Sequence, residues 1–455
     1  MPGQGQPQSA GHGGGAKLVG MKTRHANRTA LSLLLVTSAA AAQADALTAP
    51  EQQIVANVKR HTPDALKLLE RSVLINSGTL NAAGVREVGA LLGAEFTALG
   101  FKTSWVDMPP AMQRAGHLVA ERVGTQGQRV LLIGHLDTVF EKDSPVPPWQ
   151  SDGQRVRGQG VSDMKGGDVI ILLALRALNE QHALDGRTVR VVFTGDEERV
   201  GAPADVARAA LVDAAKQSDV ALAFEGATKD DQGHDAATIG RRASGTWHLQ
   251  VTARTGHSAG VFGKDGFGAL YEAARVLNAF REQLIEPDLT FNAATLVAGT
   301  SASWDDAQSQ GQAFGKTNVI PRDAQARGDL RYLTPEQGEK ARQRMQAIAE
   351  QSLPGTRTKL TFHESYPPMS PTPGNLKLLQ AYSAASADAG LGAIAPFPPG
   401  QRGAGDVQFV APLVDSLDGL GAAGGGAHTP DEWLDIVSIE RGAIRAALLI
   451  YRLTR

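Results

Sequence analysis

The sequence predicts an α/β protein with a mostly parallel sheet, into which a smaller α+β unit is inserted. Three short apolar runs, Arg129–Ile133, Thr188–Phe193 and Val220–Phe224, are typical of strands that are buried on both faces. A helical pattern over Asp168–Gln181 lies between the first two runs. The order strand, helix, strand indicates a parallel pair with a helix packed on the sheet.

The middle of the chain changes to alternating, half-exposed strands. Its pattern predicts a strand, a helix, two strands, a helix and a strand, at Trp247–Ala253, Ala269–Gln283, Thr290–Val297, Ala324–Tyr332, Pro335–Gln351 and Lys359–His363. The order β-α-β-β-α-β is that of a small ferredoxin-like sandwich. We therefore expect a main domain made of residues 45–239 and 368–455, interrupted by a separate domain at 240–367. Helical patterns at Asn375–Ala389 and Ser438–Leu453 complete the main domain.

The N-terminal part has the features of a secretory signal. From Met21 it has a basic start, a short apolar stretch over residues 30–42 and an Ala-Gln-Ala cleavage motif at 42–44. We interpret residues 21–44 as a signal peptide that starts at Met21; the alternative is an unstructured hydrophobic N-terminus. No later stretch is apolar for long enough to span a bilayer. The mature protein is therefore expected in the periplasm or outside the cell, without a membrane contact.

Composition excludes some partners and restricts the metal ligands. The chain has 45 Lys and Arg residues against 47 Asp and Glu residues, for a net charge of −2, and its basic residues are dispersed. A nucleic-acid partner is not expected, because binding many phosphates needs a basic stripe. The chain has no cysteine. Disulfides are thus excluded, and any metal must be held by nitrogen and oxygen atoms.

Polar residues with metal-binding chemistry follow the three apolar runs. His135, the pair Glu197 and Glu198, and Glu225 each stand where a predicted strand ends. The carboxyl ends of strands form the natural crevice for ligands in open α/β sheets. Asp137 shares a face with His135 on an extended segment, so its carboxylate can accept a hydrogen bond from the ring and leave the other ring nitrogen free for a metal. The alternative for this pair is a polar strand end.

The remaining carboxylates have two interpretations each. Adjacent acids such as Glu197 and Glu198 usually form a solvated turn, but beside a divalent cation one can bind the ion while its neighbour takes a proton. Asp163 lies in the glycine-containing loop 158–167, where the backbone can approach a site closely. Its alternative role is a helix N-cap. Taken together, these positions predict a metal-dependent hydrolase.

Seven motifs, in their order along the chain, resemble the motifs of one protein family. The chain contains GHLDTVF, GQGVSDMKGG, FTGDEERVG, LAFEGA, RTGHSAG, TNVIPRDAQARGDLRY and AHTPDEWLDI. Together they resemble the two-zinc aminoacylase and carboxypeptidase metallopeptidases, and most closely the periplasmic glutamate carboxypeptidases of the carboxypeptidase G type. The resemblance covers nearly all of the mature chain. It implies a phosphorylase/hydrolase-like, mostly parallel-sheet catalytic domain and identifies the inserted ferredoxin-like α+β domain as a lid that dimerises.

The resemblance also implies a role for each candidate residue. Two zinc ions per chain would be held by His135 and Glu225 on one ion, by Glu198 and His428 on the other, and by Asp163 on both. Glu197 would be the general base for a water that the two ions acidify, and Asp137 would orient His135. The peptide bond between Asp163 and Met164 is expected to be cis.

Three residues of the lid match family positions that contact the substrate. His257 resembles a histidine that reaches the active site of the partner subunit and stabilises the oxyanion. Asn318 and Arg331 match residues that hold the terminal carboxylate of the substrate, for which the planar fork of arginine is well suited. The alternatives are a surface histidine, a strand-end asparagine and an exposed arginine. We expect a homodimer that forms through the lid.

The resemblance implies hydrolysis of an amide bond next to a free carboxylate. The expected enzyme releases a C-terminal amino acid, with glutamate-type residues preferred, from small peptides or N-acyl amino acids. One alternative with the same chemistry is an N-acyl amino acid deacylase or desuccinylase. Another is a secreted peptide-binding protein without catalysis, which would need the metal ligands but not Glu197.

Two segments depart from the family pattern. The stretch between Glu225 and Gly240 is longer and contains several aspartates, and Arg241-Arg242 follows it. Gly405-Asp406 stands where the family usually has Ser/Thr-Asp. We expect both segments to border the substrate pocket and therefore to affect which side chain the pocket accepts.

Overall fold

A computed structural model of the protein describes residues 47–306 and 308–455. The predicted signal peptide, residues 21–44, lies outside these described residues. Among the helices of the described part, none is long and apolar enough to cross a membrane.

Nine α-helices are formed by the described residues. They are α1 (Ala49–Val73), α2 (Ala82–Ala98), α3 (Gly166–Glu180), α4 (Ala204–Ala207), α5 (Ala209–Lys216), α6 (Ala269–Gln283), α7 (Pro335–Glu350), α8 (Pro373–Asp388) and α9 (Ile436–Leu453). Side chains define where several of them begin. Asn81, Thr334, Thr372 and Asp435 each accept a hydrogen bond from a backbone N–H of the first turn of the following helix.

The described strands are numbered β1 to β19 in chain order. They are β1 (Lys102–Val106), β2 (His117–Arg122), β3 (Gln126–His135), β4 (Gln150–Ser151), β5 (Arg155–Arg157), β6 (Arg187–Thr194), β7 (Val220–Ala223), β8 (Thr228–Lys229), β9 (Asp235–Ala237), β10 (Ser244–Ala253), β11 (Ala293–Gly299), β12 (Ser301–Asp305), β13 (Gln310–Phe314), β14 (Asp323–Leu330), β15 (Thr356–Tyr366), β16 (Ala395–Pro396), β17 (Asp415–Leu417), β18 (Gly424–Gly425) and β19 (Trp433–Asp435).

The main sheet has six strands in the order β1-β2-β6-β3-β7-β17. Strands β6, β3, β7 and β17 are parallel, and β1 and β2 pair antiparallel at one edge. Successive residues of β3 enter different hydrophobic clusters: Val130 and Leu132 join one, and Leu131 and Ile133 join the other. Because both faces of the sheet are covered, the sequences of these strands are continuous apolar runs. The predicted mostly parallel sheet is confirmed.

Helices cover the two faces of this sheet unequally. Helices α1, α3, α8 and α9 pack against one another on one face, where the largest hydrophobic cluster lies. The shorter α5 packs against β6 and contributes Leu211 to the cluster on the other face. The predicted helices at Asp168–Gln181, Asn375–Ala389 and Ser438–Leu453 correspond to α3, α8 and α9.

Residues Ser244–Tyr366, which we call the insert, form a second sheet. Its four strands are antiparallel in the order β11-β14-β10-β15, and α6 and α7 pack on it. The insert has its own hydrophobic cluster, which includes Trp247 and Phe280 in edge-to-face contact at 5.8 Å between ring centroids. The order β-α-β-β-α-β is present with an added hairpin, β12–β13. The exact domain boundaries at 240 and 367 stay a prediction.

Candidate metal centre

The five predicted metal ligands come together at the carboxyl edge of the main sheet. His135 ends β3, Glu198 lies in the turn after β6, and Glu225 follows β7 by two residues. Asp163 lies in the turn Val161–Lys165 that precedes α3, and His428 lies in the loop between β18 and β19. Parallel strands deliver the first three side chains to one edge. The other two reach this edge from loops.

Asp163 stands between two histidines. One carboxylate oxygen, Oδ1, lies 3.2 Å from Nε2 of His135, and the other, Oδ2, lies 3.2 Å from Nε2 of His428. Glu225 Oε1 is 3.7 Å from the His135 nitrogen, and Glu198 Oε2 is 3.0 Å from the His428 nitrogen. The result is two triads that share Asp163, each with its ligand atoms within 4.8 Å of one another. The Asp163–Met164 peptide is cis, as expected.

The chemistry of this cluster fits two divalent cations. The second carboxylate oxygen of Glu198, Oε1, is buried and has no hydrogen-bond partner among the described residues, which is costly unless a cation binds there. Burial, together with the charge of Asp163, raises the pKa of Glu225 to about 7. The carboxylates of Asp163 and Glu198 raise the pKa of His428 to about 11, so the surrounding field favours positive charge. Nitrogen and oxygen donors of these types are suitable zinc ligands.

Glu432 holds the turn that carries Asp163. Its carboxylate is buried and accepts hydrogen bonds from the backbone N–H groups of Gly160, Ser162 and Asp163 at 3.1, 2.8 and 3.0 Å, and from the Ser162 hydroxyl at 3.0 Å. These hydrogen bonds hold the turn in a conformation in which the Asp163 carboxylate faces both histidines. No local sequence pattern predicts this role for Glu432, because its partners lie some 270 positions away.

Replacing Glu432 with alanine is expected to weaken zinc binding by about 10- to 100-fold, because an outer partner that orients a ligand is lost. The measurement is a zinc titration in competition with a chelator. Asp431→Ala is the matched control, since the Asp431 side chain is 81% exposed and pairs only loosely with Arg157, at 3.4 Å. Wild-type zinc affinity in the Glu432 variant would contradict this positioning role.

Asp137 contacts the 197–198 turn more closely than it contacts His135. Its carboxylate accepts hydrogen bonds from the backbone N–H groups of Glu197 and Glu198 at 3.0 and 3.2 Å, and from the Thr79 hydroxyl at 2.7 Å. Nδ1 of His135 lies 3.0 Å from the backbone oxygen of Asp137 but 3.6 Å from its carboxylate. The carboxylate is engaged by these three donors, and the predicted carboxylate–ring hydrogen bond is replaced by a contact between the ring and the Asp137 main chain.

Glu197 lies beside the two triads without belonging to either. Burial raises the pKa of its carboxyl group well above the ordinary value, and the nearby carboxylate of Glu225 acts in the same direction, while His135 opposes it. Its backbone is held at both ends, by the Asp137 carboxylate and by the Tyr366 hydroxyl, which donates to the Glu197 carbonyl at 3.0 Å. A carboxylate with a raised pKa on an anchored backbone is suited to accept and return a proton.

A buried ion-pair network supports the same turn. Arg208 donates to Asp196 and to Asp406, at 2.6 Å in each case, and Asp406 also accepts from the Thr194 hydroxyl at 2.5 Å. We expected Gly405-Asp406 to border the substrate pocket, but the Asp406 carboxylate is buried in this network instead. Gly405 is also closely packed: a Cβ atom there would lie 3.1 Å from the Arg241 guanidinium carbon.

Replacing Arg208 with methionine is expected to lower the free energy of unfolding by about 3–5 kcal/mol, because two buried carboxylates lose their cation. Denaturant-induced unfolding measures this change. The control is Arg129→Met, which removes an exposed pair with Asp219 and should cost less than about 1 kcal/mol. A loss for Arg208→Met no larger than for this control would show that the network does not stabilise the fold.

The three residues of the insert that are predicted to contact the substrate do not lie together. His257 and Asn318 are neighbours, with the backbone N–H of Ser258 donating to the Asn318 carbonyl at 2.9 Å. Arg331 follows the other end of β14 and pairs with Asp329 at 3.0 Å. Strand β14 lies between Asn318 and Arg331, and its length separates the two residues by roughly 25 Å. One chain therefore cannot place both residues on the same carboxylate.

Arg331 occupies the end of the insert that joins the main sheet. At that end β10 begins with Ser244, which is paired with Tyr366, and Tyr366 contacts the backbone of Glu197. His257 and Asn318 occupy the far end, beyond Ala253. Within one chain, Arg331 is thus on the side of the metal centre and the other two residues are remote from it.

A mostly parallel sheet with two carboxylate and histidine triads at its carboxyl edge defines the class of dinuclear metallohydrolases. The model of peptidase family M20/M25/M40 matches residues 131–452, more than half of the chain. The protein belongs to this family and is a metallopeptidase. The predicted family and enzyme class are confirmed, and the alternative of a binding protein without catalysis is set aside.

Similar proteins agree with this assignment. Carboxypeptidase G2 of a Pseudomonas species is 29% identical over 93% of this chain and 97% of its own. A succinyl-diaminopimelate desuccinylase of Delftia acidovorans is 25% identical over 82% of this chain and 94% of its own. The solved aminopeptidase PepT of Bacillus cereus has a TM-score of 0.67 at 16% identity, covering 87% of this chain and 99% of that one. The last likeness shows the fold alone.

Proposed function

We propose that the protein is a two-zinc exopeptidase or amidohydrolase that releases a C-terminal amino acid, with glutamate-type residues preferred, from small peptides or N-acyl amino acids. The observation that carries this proposal is Asp163, whose two oxygens each lie 3.2 Å from a different histidine, with Glu197 beside them. The similarity to a protein named carboxypeptidase G2 supports release from the carboxyl end.

The ligands divide into two sets. His135, Asp163 and Glu225 would hold one zinc ion, and Asp163, Glu198 and His428 would hold the other. When bound, the two ions would supply a lowered pKa for a shared water and polarisation of the scissile carbonyl. Asp137 and Glu432 keep the ligand-bearing segments in place through the hydrogen bonds described above.

Glu197 moves the proton. Its carboxylate takes a proton from the attacking water as the carbon–oxygen bond forms and returns it to the amide nitrogen as the carbon–nitrogen bond breaks. The raised pKa of this carboxyl group suits both directions of transfer. The anchors from Asp137 and Tyr366 hold the backbone that carries this group.

The insert would act as a lid and supply the groups that bind the substrate. Arg331 would bind the free carboxylate next to the scissile amide, because its planar fork can make two parallel hydrogen bonds to it. His257 and Asn318 are a strand length from their own metal centre, so we propose that His257 of the partner subunit and Asn318 of the partner subunit complete each site in a homodimer. Exposed strands of the insert offer a surface for such pairing.

Mixing two inactive variants tests this shared site. Glu197→Gln and His257→Ala are each expected to be inactive, but a hybrid dimer contains one site with an intact base and an intact histidine from the partner. Random mixing should restore about a quarter of the wild-type activity, since half of the dimers are hybrids with one good site. No recovery in a mixture that exchanges subunits would contradict the shared site.

An N-acyl amino acid deacylase or desuccinylase is the second candidate. It is supported by the similarity to the Delftia protein, which extends over 94% of that protein. The bond cleaved is the same type of amide, and the difference lies in which side of it is recognised. A panel of dipeptides and N-acyl amino acids that vary the two sides separately will distinguish the candidates.

The direct test of the proposed function is chelator-sensitive amide hydrolysis. We expect the zinc-loaded protein to release glutamate from N-acyl-glutamates, and a chelator to stop this release. Absence of hydrolysis across the whole panel, with zinc bound, would contradict the proposal. Export is part of the proposal too: sequencing of protein from the periplasm should find a chain that begins at Asp45, after the predicted signal peptide.

A further inference from the structure

Arg402 is a cation at the metal centre that has no anion of its own. Its Nη2 donates to the carbonyl of Gly226 at 2.8 Å, and Gly226 directly follows the ligand Glu225. Its Nε is buried and lacks a hydrogen-bond partner among the described residues. Among the same residues, the Arg402 side chain forms no ion pair. A half-buried guanidinium whose Nε has no partner and whose charge has no anion among the described residues is costly unless a ligand supplies one.

The neighbouring Arg241, unlike Arg402, has an ion pair within the described part of the protein. It pairs with the buried Asp418, with 2.6 Å between Nε and Oδ2, and donates to the carbonyls of Gly403 and Ala404 at 2.7 and 2.9 Å. These bonds fix the loop that carries Arg402. Burial, and then repulsion from Arg241, lower the pKa of Arg402, while the carboxylates of Asp418, Glu225 and Asp163 act in the opposite direction.

Three carboxylates attract Arg402, and none of them forms an ion pair with it among the described residues. Asp418 is committed to Arg241, and the other two are Glu225 and Asp163. With cations bound, the charges of Glu225 and Asp163 are shared with the ions. Arg402 then has no carboxylate committed to it among the described residues, and it lies against the residue that follows Glu225.

A second arginine whose Nε has no partner among the described residues, Arg242, lies between Arg331 and the loop that carries Arg402. Arg242 donates to the carbonyl of Gly400 at 2.9 Å and to the hydroxyl of Thr290 at 3.1 Å, and Thr290 is bridged to Arg331. The Nε of Arg242 is also buried without a partner in the described part of the chain. Arg331, Arg242 and Arg402 thus form a cationic row from the insert to the metal centre.

We propose that Arg402 is a specificity-determining residue that binds a second carboxylate of the substrate, in addition to the free carboxylate next to the scissile amide. This inference rests on the proposed function. The substrate class it defines is a dianionic amide. The second carboxylate belongs either to an acidic C-terminal residue or to a dicarboxylic acyl group, and the two sources share the chemistry that the guanidinium recognises.

Two matched substrate pairs test the inference with zinc-loaded, full-length protein. N-acetyl-glutamate and N-acetyl-glutamine differ by one side-chain carboxylate, and N-succinyl-alanine and N-succinamoyl-alanine differ by one acyl carboxylate. The wild type should prefer the charged member of one pair by about 10- to 100-fold in kcat/KM, the value of a charged hydrogen bond. Arg402→Gln should abolish that preference while kcat/KM for the neutral member stays close to wild type. The pair that responds identifies the source of the carboxylate.

Controls separate the possible outcomes. Arg129→Gln removes an exposed arginine at the opposite end of β3 and should leave both ratios unchanged, and Arg402→Lys should retain part of the preference. Equal loss on charged and neutral members in Arg402→Gln would indicate a structural role and overturn the inference. Hydrolysis of both pairs by the wild type without any preference would overturn it too and would contradict the proposed preference for glutamate-type residues, while leaving the proposed zinc-dependent amide hydrolysis intact. Hydrolysis of no member would refute the proposed function and the inference with it.

Discussion

Replacing Glu197 with glutamine is expected to lower kcat by about 10²- to 10⁴-fold while the zinc content stays unchanged. Glutamine keeps the shape of the side chain and the backbone hydrogen bond to Asp137, but it cannot take a proton from the water. Glu197 belongs to neither triad, so the ligands remain in place. The measurements are steady-state hydrolysis of the best substrate and elemental analysis of the purified variant.

Glu198→Gln is the matched control, because the two glutamates are adjacent and share the anchor Asp137. This variant should lose zinc, since Glu198 lies 3.0 Å from His428 in the second triad. If Glu197→Gln lost zinc as well, the residue would be a ligand. If it kept full activity, a different group would have to move the proton.

Replacing Asp163 with asparagine is expected to remove zinc from both positions. The carboxylate contributes one oxygen to each triad, whereas an asparagine has one oxygen and no charge. The loss of zinc affinity should exceed the 10- to 100-fold that removal of an outer partner costs, and activity should fall with it. Zinc content per chain, measured after gel filtration, reports the result.

His428→Ala provides the comparison for this variant. It removes a residue of the second triad only, so the ion held by His135, Asp163 and Glu225 should remain. An Asp163→Asn protein that still binds two zinc ions per chain would contradict the bridging position of Asp163.

The sequence was sufficient for those parts of the fold that depend on local pattern. Residues of β3 alternate between two hydrophobic clusters, and this burial on both faces leaves the apolar run that predicts the strand. The insert has half-exposed strands and helices with a single buried face, so its element order was predictable as well. The hairpin β12–β13 was not, since its strands are mostly exposed and short.

The parts of the site that the sequence could not supply depend on long-range contacts. Glu432 contacts a turn near Asp163, and Asp406 pairs with Arg208, from positions that no local pattern connects. The orientation of the Asp137 carboxylate could not be predicted from the sequence either, because it depends on the position of the N–H groups of the 197–198 turn. Motif resemblance predicted the five candidate metal ligands, whereas the hydrogen bonds that support them depend on the fold.

The central claim is that five side chains form one cage for two divalent ions that are required for amide hydrolysis. Calorimetric titration of zinc into chelator-treated protein, with activity assayed at each step, tests it most directly. We expect no hydrolysis without metal, binding of two zinc ions per chain, and activity that returns as they bind. Full activity in the metal-free protein, or a chain that takes up no zinc, would contradict the account.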